Sequence, residues 1–599
     1  MSDRLGATPI AGGTRFEEWA PDASRVEIVL DGDGRVVLLE RADPVAGTWV
    51  GTADGVGHGD RYRIRLDGGE PLADPASGWQ PDGVFGPSAV VDPARFIWHD
   101  DGWPGVPLAD TVLYEVHVGT FTPAGTLDAA IGELDRLCRL GVTTVELMPL
   151  NQFSGARNWG YDGVFWSAVQ DTYGGPEALA RFVDAAHARG LAVVLDVVYN
   201  HLGPEGSVHQ RIAPYFTDAV RTPWGAAINV AGPGSDLVRR TIIESACRWI
   251  TDFHVDGLRV DAVHAFFDPT ARPFLAELTT AVHAAGAAAG RTVLVIAESS
   301  DNDPRLVRPV ADGGLGFDAV WNDDVHHALR VALTGDRRGY YADYAGVEHL
   351  AAAFARRWVF DGRYSVARGR THGQRADDVP FERFVVFTVN HDHIGNTPDG
   401  ARPPYDDRRR LLAAAAILLS PFTPMLFMGE EYAEPAPFPF FVDHTDPALL
   451  EATRRGREQE FRDTWSGHVL DPADPATFAA AVLHPELGEE EPHRTVLAAY
   501  TELLALRRRV GVLRGDAQQH VTRHGDAVVV DRRRGRERAM LVLAFGAVPT
   551  VLDVDTAGLT IAFDSAARRW GGDGTTSVLD DARLAVGPNT AVLLTTPLP

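Results

Sequence analysis

Cysteine is scarce in this chain of 599 residues and occurs only at Cys138 and Cys247. Both positions lie in apolar, helix-like patterns, LDRLCRLG and IESACRWI, so we expect two buried free thiols. Two such isolated cysteines exclude a disulfide framework and a cysteine-based metal cluster. They are typical of a reducing compartment, and we predict a cytoplasmic protein.

Long hydrophobic runs and a secretory leader are also lacking. No run of about twenty apolar residues occurs, which argues against a membrane span. The first residues, MSDRLGATPIAGG, contain neither a basic nor an apolar segment, so we expect no signal peptide.

Positive charge is in deficit throughout the chain. The 56 Lys and Arg residues face 82 Asp and Glu residues, which gives a formal net charge of −26. Binding to nucleic acid or to an anionic membrane surface requires a basic patch, so neither partner is expected. The charge suits a soluble protein that acts on a neutral substrate.

The chain is too long for one hydrophobic core, and its apolar patterns divide it into three parts. Residues 1–95 contain strand-like segments around Gly and Asp turns, such as RVEIVLDGDGRVVLLE, and predict a β-sandwich. Residues 513–599 contain DAVVVDRRRG, AMLVLAFG and NTAVLLTT and predict a second β-sandwich. In residues 96–512, short apolar runs alternate with helical segments.

This central part has the pattern of a (β/α)8 barrel, with eight apolar strand candidates between helical segments. The candidates are 111–118, 143–150, 192–200, 257–262, 293–299, 319–324, 383–392 and 423–431. A doubly wound sheet is the alternative, but it does not place polar residues at the C-terminal end of nearly every strand. Long loops are predicted after the third strand (201–236) and after the sixth (325–382), where they would build a binding site.

The segment DGLRVDAVHAF carries a guanidinium, Arg259, and a carboxylate, Asp261, in an otherwise apolar strand candidate. Residues two apart on a strand point to the same face, so the pair alone could be structural. The fifth candidate, however, ends VLVIAES with Glu298, and the seventh ends VNHD with His391 and Asp392. Because the C-terminal strand ends form the active face of such a barrel, we predict that three acids converge there.

The expected environments of these acids fit the cleavage of a glycosidic bond, which needs one ionised carboxylate and one protonated acid. Arg259 should keep Asp261 anionic and able to attack an anomeric carbon. Repulsion between carboxylates should raise the pKa of Glu298, so that it can protonate the leaving oxygen. Asp392 is then available to hold sugar hydroxyls.

The segments DVVYNH, GLRVDAVH, AES and VNHD, in this order, resemble the four short motifs of the α-amylase family of glycoside hydrolases. The resemblance implies a retaining barrel enzyme with Asp261 as nucleophile, Glu298 as acid/base and Asp392 as transition-state stabiliser. It also implies further residues that contact the sugars around the cleaved bond. These are Tyr161 and Asp162 in NWGYDG, together with His201, Arg259, His264 and His391.

Many members of that family bind calcium through an Asn of the first motif, and Asn200 is the matching residue here. The sequence has no accompanying cluster of Asp residues in a carbonyl-rich loop, as a Ca²⁺ site requires. We therefore predict neither an essential metal nor another cofactor.

Longer segments of the sequence point to one subgroup of this family. The linker ADPASGWQPDGVFGPSAVVDP and the stretches IAESSDNDPRLV, LFMGEEYAEPAPFPFFVDH and GREQEF are similar to trehalose-releasing members of the family. Those members hydrolyse the α-1,4 bond next to the trehalose end of maltooligosyltrehalose, so this compound or a related α-glucan is the expected substrate.

Other assignments remain open at this point. A glycogen branching enzyme is the first alternative, and glycogen-debranching relatives come next. A non-catalytic carbohydrate-binding barrel usually lacks one of the three acids, and all three are present here. For the quaternary structure, a monomer and a homodimer are both compatible with the sequence.

The stretch FPFFVDH follows the eighth strand candidate and is predicted to line the mouth of the barrel. Phe438, Phe440 and Phe441 offer apolar faces to sugar rings, while Asp443 and His444 offer hydrogen-bonding groups. By the resemblance, this region helps to hold the trehalose end of the substrate. Core packing beneath a loop is the alternative for each phenylalanine.

Overall fold

In a computed structural model, which describes residues 4–462 and 469–597, the chain begins with two antiparallel sheets of four strands each. The strands of the first sheet are, in spatial order, Gly6–Ile10, Gly13–Trp19, Thr48–Asp54 and Glu40–Asp43. Those of the second are Val36–Leu38, Val26–Leu30, Arg61–Leu66 and Ser88–Ala89. Phe16 and Tyr62, one from each sheet, are buried and meet edge to face with 4.9 Å between ring centroids. The predicted N-terminal β-sandwich is confirmed.

Eight parallel strands, named β1 to β8 here, close into a barrel in which β8 pairs with β1. Their bounds are Leu113–Val116, Thr144–Leu147, Ala192–Val197, Gly257–Val260, Leu294–Ala297, Ala319–Trp321, Phe384–Phe387 and Thr423–Phe427. Each strand lies within its predicted segment but ends earlier, because the polar residues that follow leave the strand pairing and enter the mouth. The (β/α)8 barrel is confirmed.

Helices follow the strands and cover the barrel. The helices are Val118–Phe121, Leu127–Ala130, Leu134–Leu140, Gly175–His187, Ser235–Asp252, Phe274–Ala288, Asp323–Thr334, Val347–Arg356, His391–Gly395, Asp407–Leu418, Pro447–Arg462, Pro475–Ala479 and His493–Arg509. In Gly175–His187, buried Leu179, Phe182, Val183 and Ala186 recur at helical spacing. This spacing gives the helix one apolar stripe, which packs against the barrel.

The loops on the active face are long, as expected, but they contain secondary structure. A hairpin of Asn151–Gln152 and Phe165–Val169 follows β2, and a hairpin of Phe216–Thr222 and Gly225–Ile228 follows β3.

The prediction of one loop over 325–382 is wrong. The helices Asp323–Thr334 and Val347–Arg356 occupy much of this segment, and a hairpin of Arg363–Ser365 and Arg370–His372 follows them. The prediction assigned Asp323 and Asp324 to the end of the strand. They form instead the first turn of the helix Asp323–Thr334, where acidic residues are favourable.

Two antiparallel sheets form the C-terminal part, so the second β-sandwich is confirmed. The larger sheet contains, in spatial order, Gln518–His524, Ala527–Arg534, Glu537–Ala544, Thr590–Thr595 and Thr560–Asp564. The smaller sheet contains Thr550–Asp553, Arg583–Val586 and Ser577–Asp580. Their facing side chains, such as Val542, Leu584 and Val592, form a separate apolar core. The domain boundaries after residues 95 and 512 stay predictions.

Both cysteines are free thiols, but they are half-buried and not fully buried as expected. In Leu134–Leu140, the buried stripe consists of Leu134, Leu137 and Leu140, and Cys138 lies beside it. Among residues 4–462 and 469–597, no helix combines the length and the apolar character needed to cross a membrane.

The helix His493–Arg509 connects the barrel to the C-terminal sheets and carries a buried cation, Arg507. Its Nη1 atom donates hydrogen bonds to the carbonyl oxygens of Leu418 at 3.1 Å and Ser420 at 2.6 Å. Its Nη2 atom donates to the carbonyl oxygen of Phe422 at 2.6 Å. The carbonyl group at the end of a helix has no partner within that helix, and Arg507 supplies one for Leu418, the last residue of Asp407–Leu418, as well as for two carbonyls of the segment that follows.

We expect the substitution Arg507→Leu to lower stability by about 3 kcal/mol, because it leaves three buried carbonyl groups without donors. Scanning calorimetry should find the midpoint of thermal unfolding lowered by several degrees. The matched control is Arg508→Leu, since Arg508 is exposed on the same helix. Equal midpoints for the two variants would contradict this account of Arg507.

Candidate active site

A strained turn at the end of β4 positions two of the predicted acids. Asp261 follows the last residue of the strand, and Ala262 has φ 44° and ψ 50°, a left-handed conformation that is uncommon outside glycine. In this conformation the backbone N–H of Ala262 donates a hydrogen bond to Oε2 of Glu298 at 2.8 Å. The acids at the ends of β4 and β5 are therefore linked through the backbone.

Arg259 is completely buried and binds more than the one carboxylate predicted for it. Its Nη1 atom donates to Oδ1 of Asp261 at 2.7 Å and to both carboxylate oxygens of Asp196 at 2.9 Å. Its guanidinium lies 4.1 Å from the ring centroid of Trp321, the last residue of β6. Asp196 also accepts a hydrogen bond from the hydroxyl of Tyr161 at 2.6 Å. The contacts of Arg259 with Asp196 and Trp321 were not predicted from the sequence, because each joins residues of different strands.

Glu298 has the properties of a proton donor. Burial raises the pKa of its carboxyl group, Arg259 opposes this, and the negative charges of Asp261 and Asp392 raise it further. The predicted direction is confirmed, but desolvation contributes more than the expected repulsion between carboxylates. A carboxyl with a raised pKa keeps its proton closer to neutral pH.

Asp392 and His391 belong to a short helix, His391–Gly395, that is capped by the side chain of Asn390. His391 Nδ1 lies 2.6 Å from Oε1 of Glu115 on β1, and its Nε2 lies 3.5 Å from Oδ1 of Asp392. Burial disfavours the charged imidazole, but Asp392 and Glu115 outweigh burial and raise the pKa of His391 to about 9. The histidine is therefore cationic at neutral pH and holds a negative charge on each side.

The predicted sugar-contacting residues of the loops surround these groups. Tyr161 stacks on His391 with 5.1 Å between ring centroids, and Asp162 accepts a hydrogen bond from Asn158 at 2.6 Å. His201 contacts the carbonyl oxygen of Tyr161 at 2.9 Å and stacks on half-exposed Trp224 with 5.0 Å between centroids.

His264 lies apart from these residues, beside Glu298. It is exposed, and a positive charge on its ring would lower the pKa of Glu298. Loop residues from β2, β3 and β4 thus meet around the same mouth.

The phenylalanines after β8 divide into two groups. Phe438 and Phe441 are completely buried, so the prediction that they offer faces to sugars is wrong and both belong to the core beneath the loop. Phe440 is half-buried, edge-on to Trp159 at 5.2 Å, with the guanidinium of Arg457 5.0 Å from its ring centroid.

Asp443 and His444 connect loops to one another. Asp443 accepts a hydrogen bond from the backbone of Ala156 at 2.9 Å and forms an ion pair with Arg157. His444 is buried, 3.6 Å from Asp162 and 3.5 Å from Glu205. These contacts join the segment after β8 to the loops after β2 and β3.

Asn200, the residue that matches the calcium ligand of the resembled family, is buried. Neither its amide oxygen nor its amide nitrogen has a hydrogen-bond partner within the described part of the chain. In residues 4–462 and 469–597, no group of three or more His, Cys, Asp or Glu side chains is arranged to hold a metal ion. One amide oxygen without such a group does not fit a Ca²⁺ site.

Comparisons with known proteins agree with this architecture. The family model of the α-amylase catalytic domain matches residues 90–221, and carbohydrate-binding module 48, the isoamylase N-terminal domain, matches residues 4–82. A putative α-amylase from Salmonella typhimurium has a similar structure, with a TM-score of 0.90, 35% identity and 100% of both chains covered. A pullulanase from Paenibacillus barengoltzii, 21% identical with a TM-score of 0.72, shares the fold; 100% of this chain and 96% of that chain are covered.

Curated relatives are more specific. The malto-oligosyltrehalose trehalohydrolase of Arthrobacter ramosus is 50% identical over 83% of this chain and 88% of its own length. That of Rhizobium sp. strain M-11 is 43% identical over 94% of this chain and 96% of its own length. A 1,4-α-glucan branching enzyme from Burkholderia cenocepacia is only 29% identical, over 79% of this chain and 68% of its own length. The chain therefore belongs to the malto-oligosyltrehalose trehalohydrolases of the α-amylase family.

Proposed function

We propose that the enzyme hydrolyses the α-1,4 bond next to the trehalose end of maltooligosyltrehalose and releases trehalose and a maltooligosaccharide. The observation that carries the chemistry is the meeting of Asp261, Glu298 and Asp392 in one mouth around Arg259. The names of the relatives, which span nearly the whole chain, support the substrate.

In the first step, Asp261 attacks the anomeric carbon while Glu298 gives its proton to the bridging oxygen, so that trehalose leaves. Oδ1 of Asp261 accepts the hydrogen bond from Arg259, and Oδ2 makes none with another described residue, which leaves Oδ2 available as the attacking atom. The carbon–oxygen bond to trehalose breaks as the bond to Asp261 forms.

In the second step, Glu298, now ionised, removes a proton from water, and the hydroxide attacks the same carbon. Asp261 leaves as a carboxylate, and two displacements give net retention of configuration. Asp392 has a half-exposed side chain in the mouth, where it can hold sugar hydroxyls during both steps.

Two half-buried thiols without a disulfide partner support a cytoplasmic location. Maltooligosyltrehalose is uncharged, and the excess of acidic residues presents no obstacle to its binding.

The roles of the acids predict the stereochemistry. Proton NMR should detect the α-anomer of the new reducing sugar first, and Asp261→Asn and Glu298→Gln should each lower kcat by about 10³-fold or more. With α-glycosyl fluorides, whose leaving group needs no proton, Glu298→Gln should recover much of the first step, whereas Asp261→Asn should not. A β-anomer as the first product would rule out Asp261 as nucleophile.

Arg259 should be required for turnover and for stability. The substitution Arg259→Ala leaves Asp196 and Asp261 without their shared cation, and we expect kcat to fall by at least about 10²-fold. Thermal unfolding should also occur at lower temperature, because two buried carboxylates lose their partner. The control is Arg305→Ala, which removes an exposed arginine paired with Asp303. Near-normal turnover of Arg259→Ala would show that the ion pairs of Arg259 with Asp196 and Asp261 are only structural.

Substrate choice should distinguish hydrolysis at the trehalose end from transfer or from general amylase activity. A site that hydrogen-bonds the bent α,α-1,1-linked pair leaves its own polar groups unpaired with a linear chain. We expect free trehalose as product, a much lower kcat/KM on linear maltooligosaccharides of equal length, and no new α-1,6 branches on amylose. Equal constants on both substrates would contradict the trehalose specificity, and new branches would favour a branching enzyme.

A further inference from the structure

Another acid of the mouth, Asp323, has no role in the mechanism above. It lies two residues after Trp321, at the C-terminal end of β6, and begins the helix Asp323–Thr334. About a quarter of its side chain, 26%, is exposed. Its carboxyl group makes no hydrogen bond to another residue of the described chain, and the nearest basic atom is His393 Nε2 at 3.8 Å.

The adjacent acid, Asp324, differs in every respect. It is buried and accepts hydrogen bonds from the side chains of Asn302 at 2.9 Å and Tyr344 at 2.5 Å. It also accepts from the backbone N–H groups of Val359 at 2.7 Å and Phe360 at 2.9 Å. The hydrogen bonds of Asp324 thus stabilise the segment after β6, whereas the Asp323 carboxyl forms no hydrogen bond with the described residues.

Within residues 4–462 and 469–597, no cation forms a hydrogen bond with the Asp323 carboxyl. His393 is stacked on His326 with 3.6 Å between ring centroids, and burial together with that neighbour holds its pKa well below the ordinary value. His393 is therefore neutral. Arg259 is the other basic group that acts on Asp323, and its hydrogen bonds go to Asp196 and Asp261.

The other described groups that act most strongly on Asp323 are acidic or neutral. They are Glu298 after β5, Asp392 in the helix after β7, Asp324 on its own helix, and the phenols of Tyr340 and Tyr344. Burial and the charges of Glu298, Asp392 and Asp324 raise the pKa of Asp323 to about 8. A protonated carboxyl can both donate and accept a hydrogen bond, as a sugar hydroxyl can.

The position of Asp323 indicates which sugar it can reach. By the family resemblance, the sugar that becomes attached to Asp261 lies among Tyr161, His201 and His391, which contact one another in the mouth. Glu298 delivers its proton to the departing trehalose and directly follows β5, and β5 pairs directly with β6, after which Asp323 lies.

We propose that Asp323 is a substrate-binding residue that holds a hydroxyl group of the departing glucose unit, the first unit of trehalose. This assignment rests on the proposed function. It adds to that function a contact on the leaving-group side of the cleaved bond.

The test compares two substrates. Asp323→Ala should lower kcat/KM on maltooligosyltrehalose by about tenfold or more, the loss of one hydrogen bond to a buried polar group. On α-maltosyl fluoride, which has no sugar on the leaving-group side, the same variant should stay within about twofold of the wild type. A loss of equal size on both substrates, or no loss on either, would overturn the proposal.

The conservative variant and pH supply a second readout. Asp323→Asn should restore most of the activity at pH 7, because an amide also donates and accepts. As pH rises through about 8, the wild-type carboxyl ionises and loses its donor, so KM should rise, whereas KM of Asp323→Asn should stay level. Parallel KM profiles for the two proteins would contradict the proposal.

Two controls separate the possible failures. Asp324→Asn should lower the midpoint of thermal unfolding, and the Asp323 variants should not; a comparable loss in both would make Asp323 structural. If the wild type hydrolyses α-maltosyl fluoride but releases no trehalose, the proposed function fails. In that case, linear maltooligosaccharides serve as the test substrate in place of maltooligosyltrehalose. If Asp323→Ala leaves kcat/KM on them unchanged, the proposal that Asp323 binds the departing sugar is rejected independently of the proposed function.

Discussion

One buried guanidinium group fixes the ends of four neighbouring strands. Arg259 on β4 binds Asp261 directly and Asp196 on β3, lies 3.9 Å from Glu298 after β5 and stacks over Trp321 of β6. Withdrawing such a cation from water costs several kcal/mol, which only well-placed partners offset. If the carboxylates moved away, the buried cation would lose the partners that offset its desolvation. Their positions, and with them the geometry needed for the chemistry, are therefore set before any sugar binds.

Below this cluster, the barrel interior holds two further carboxyls with different partners. Glu115 binds the cationic His391, whereas Glu146 on β2 has both oxygens buried without a hydrogen-bond partner among the described residues. Burial raises the pKa of Glu146 well above the ordinary value and so favours its neutral form. A neutral acid at this depth adds no negative charge beneath the catalytic carboxylates, while Glu115 keeps the His391 ring oriented beside Asp392.

The sequence was sufficient for features that depend on local pattern. Alternating apolar runs located all eight barrel strands and both sandwiches, and acids at the C-terminal ends of the predicted strands located Asp261, Glu298 and Asp392 in one mouth. Contacts between distant segments could not be predicted in the same way. Phe438 and Phe441 have the same side chain as Phe440, and only the packing of Trp159 and its neighbours decides which ring is covered.

The mouth contains more acidic groups than cations, and this imbalance grows in alkaline solution. Arg259 and His391 are positively charged there, while the pKa of Glu298 and that of Asp323 are both raised, so each of these carboxyls ionises at a higher pH than an ordinary acid. A protonated amine with several hydroxyl groups resembles the oxocarbenium-like transition state in its positive charge. Bound in the mouth, it would offset the excess of negative charge. Such iminosugars, and even amine buffers with several hydroxyl groups, should inhibit more strongly as the carboxyls ionise, until the amine itself loses its proton.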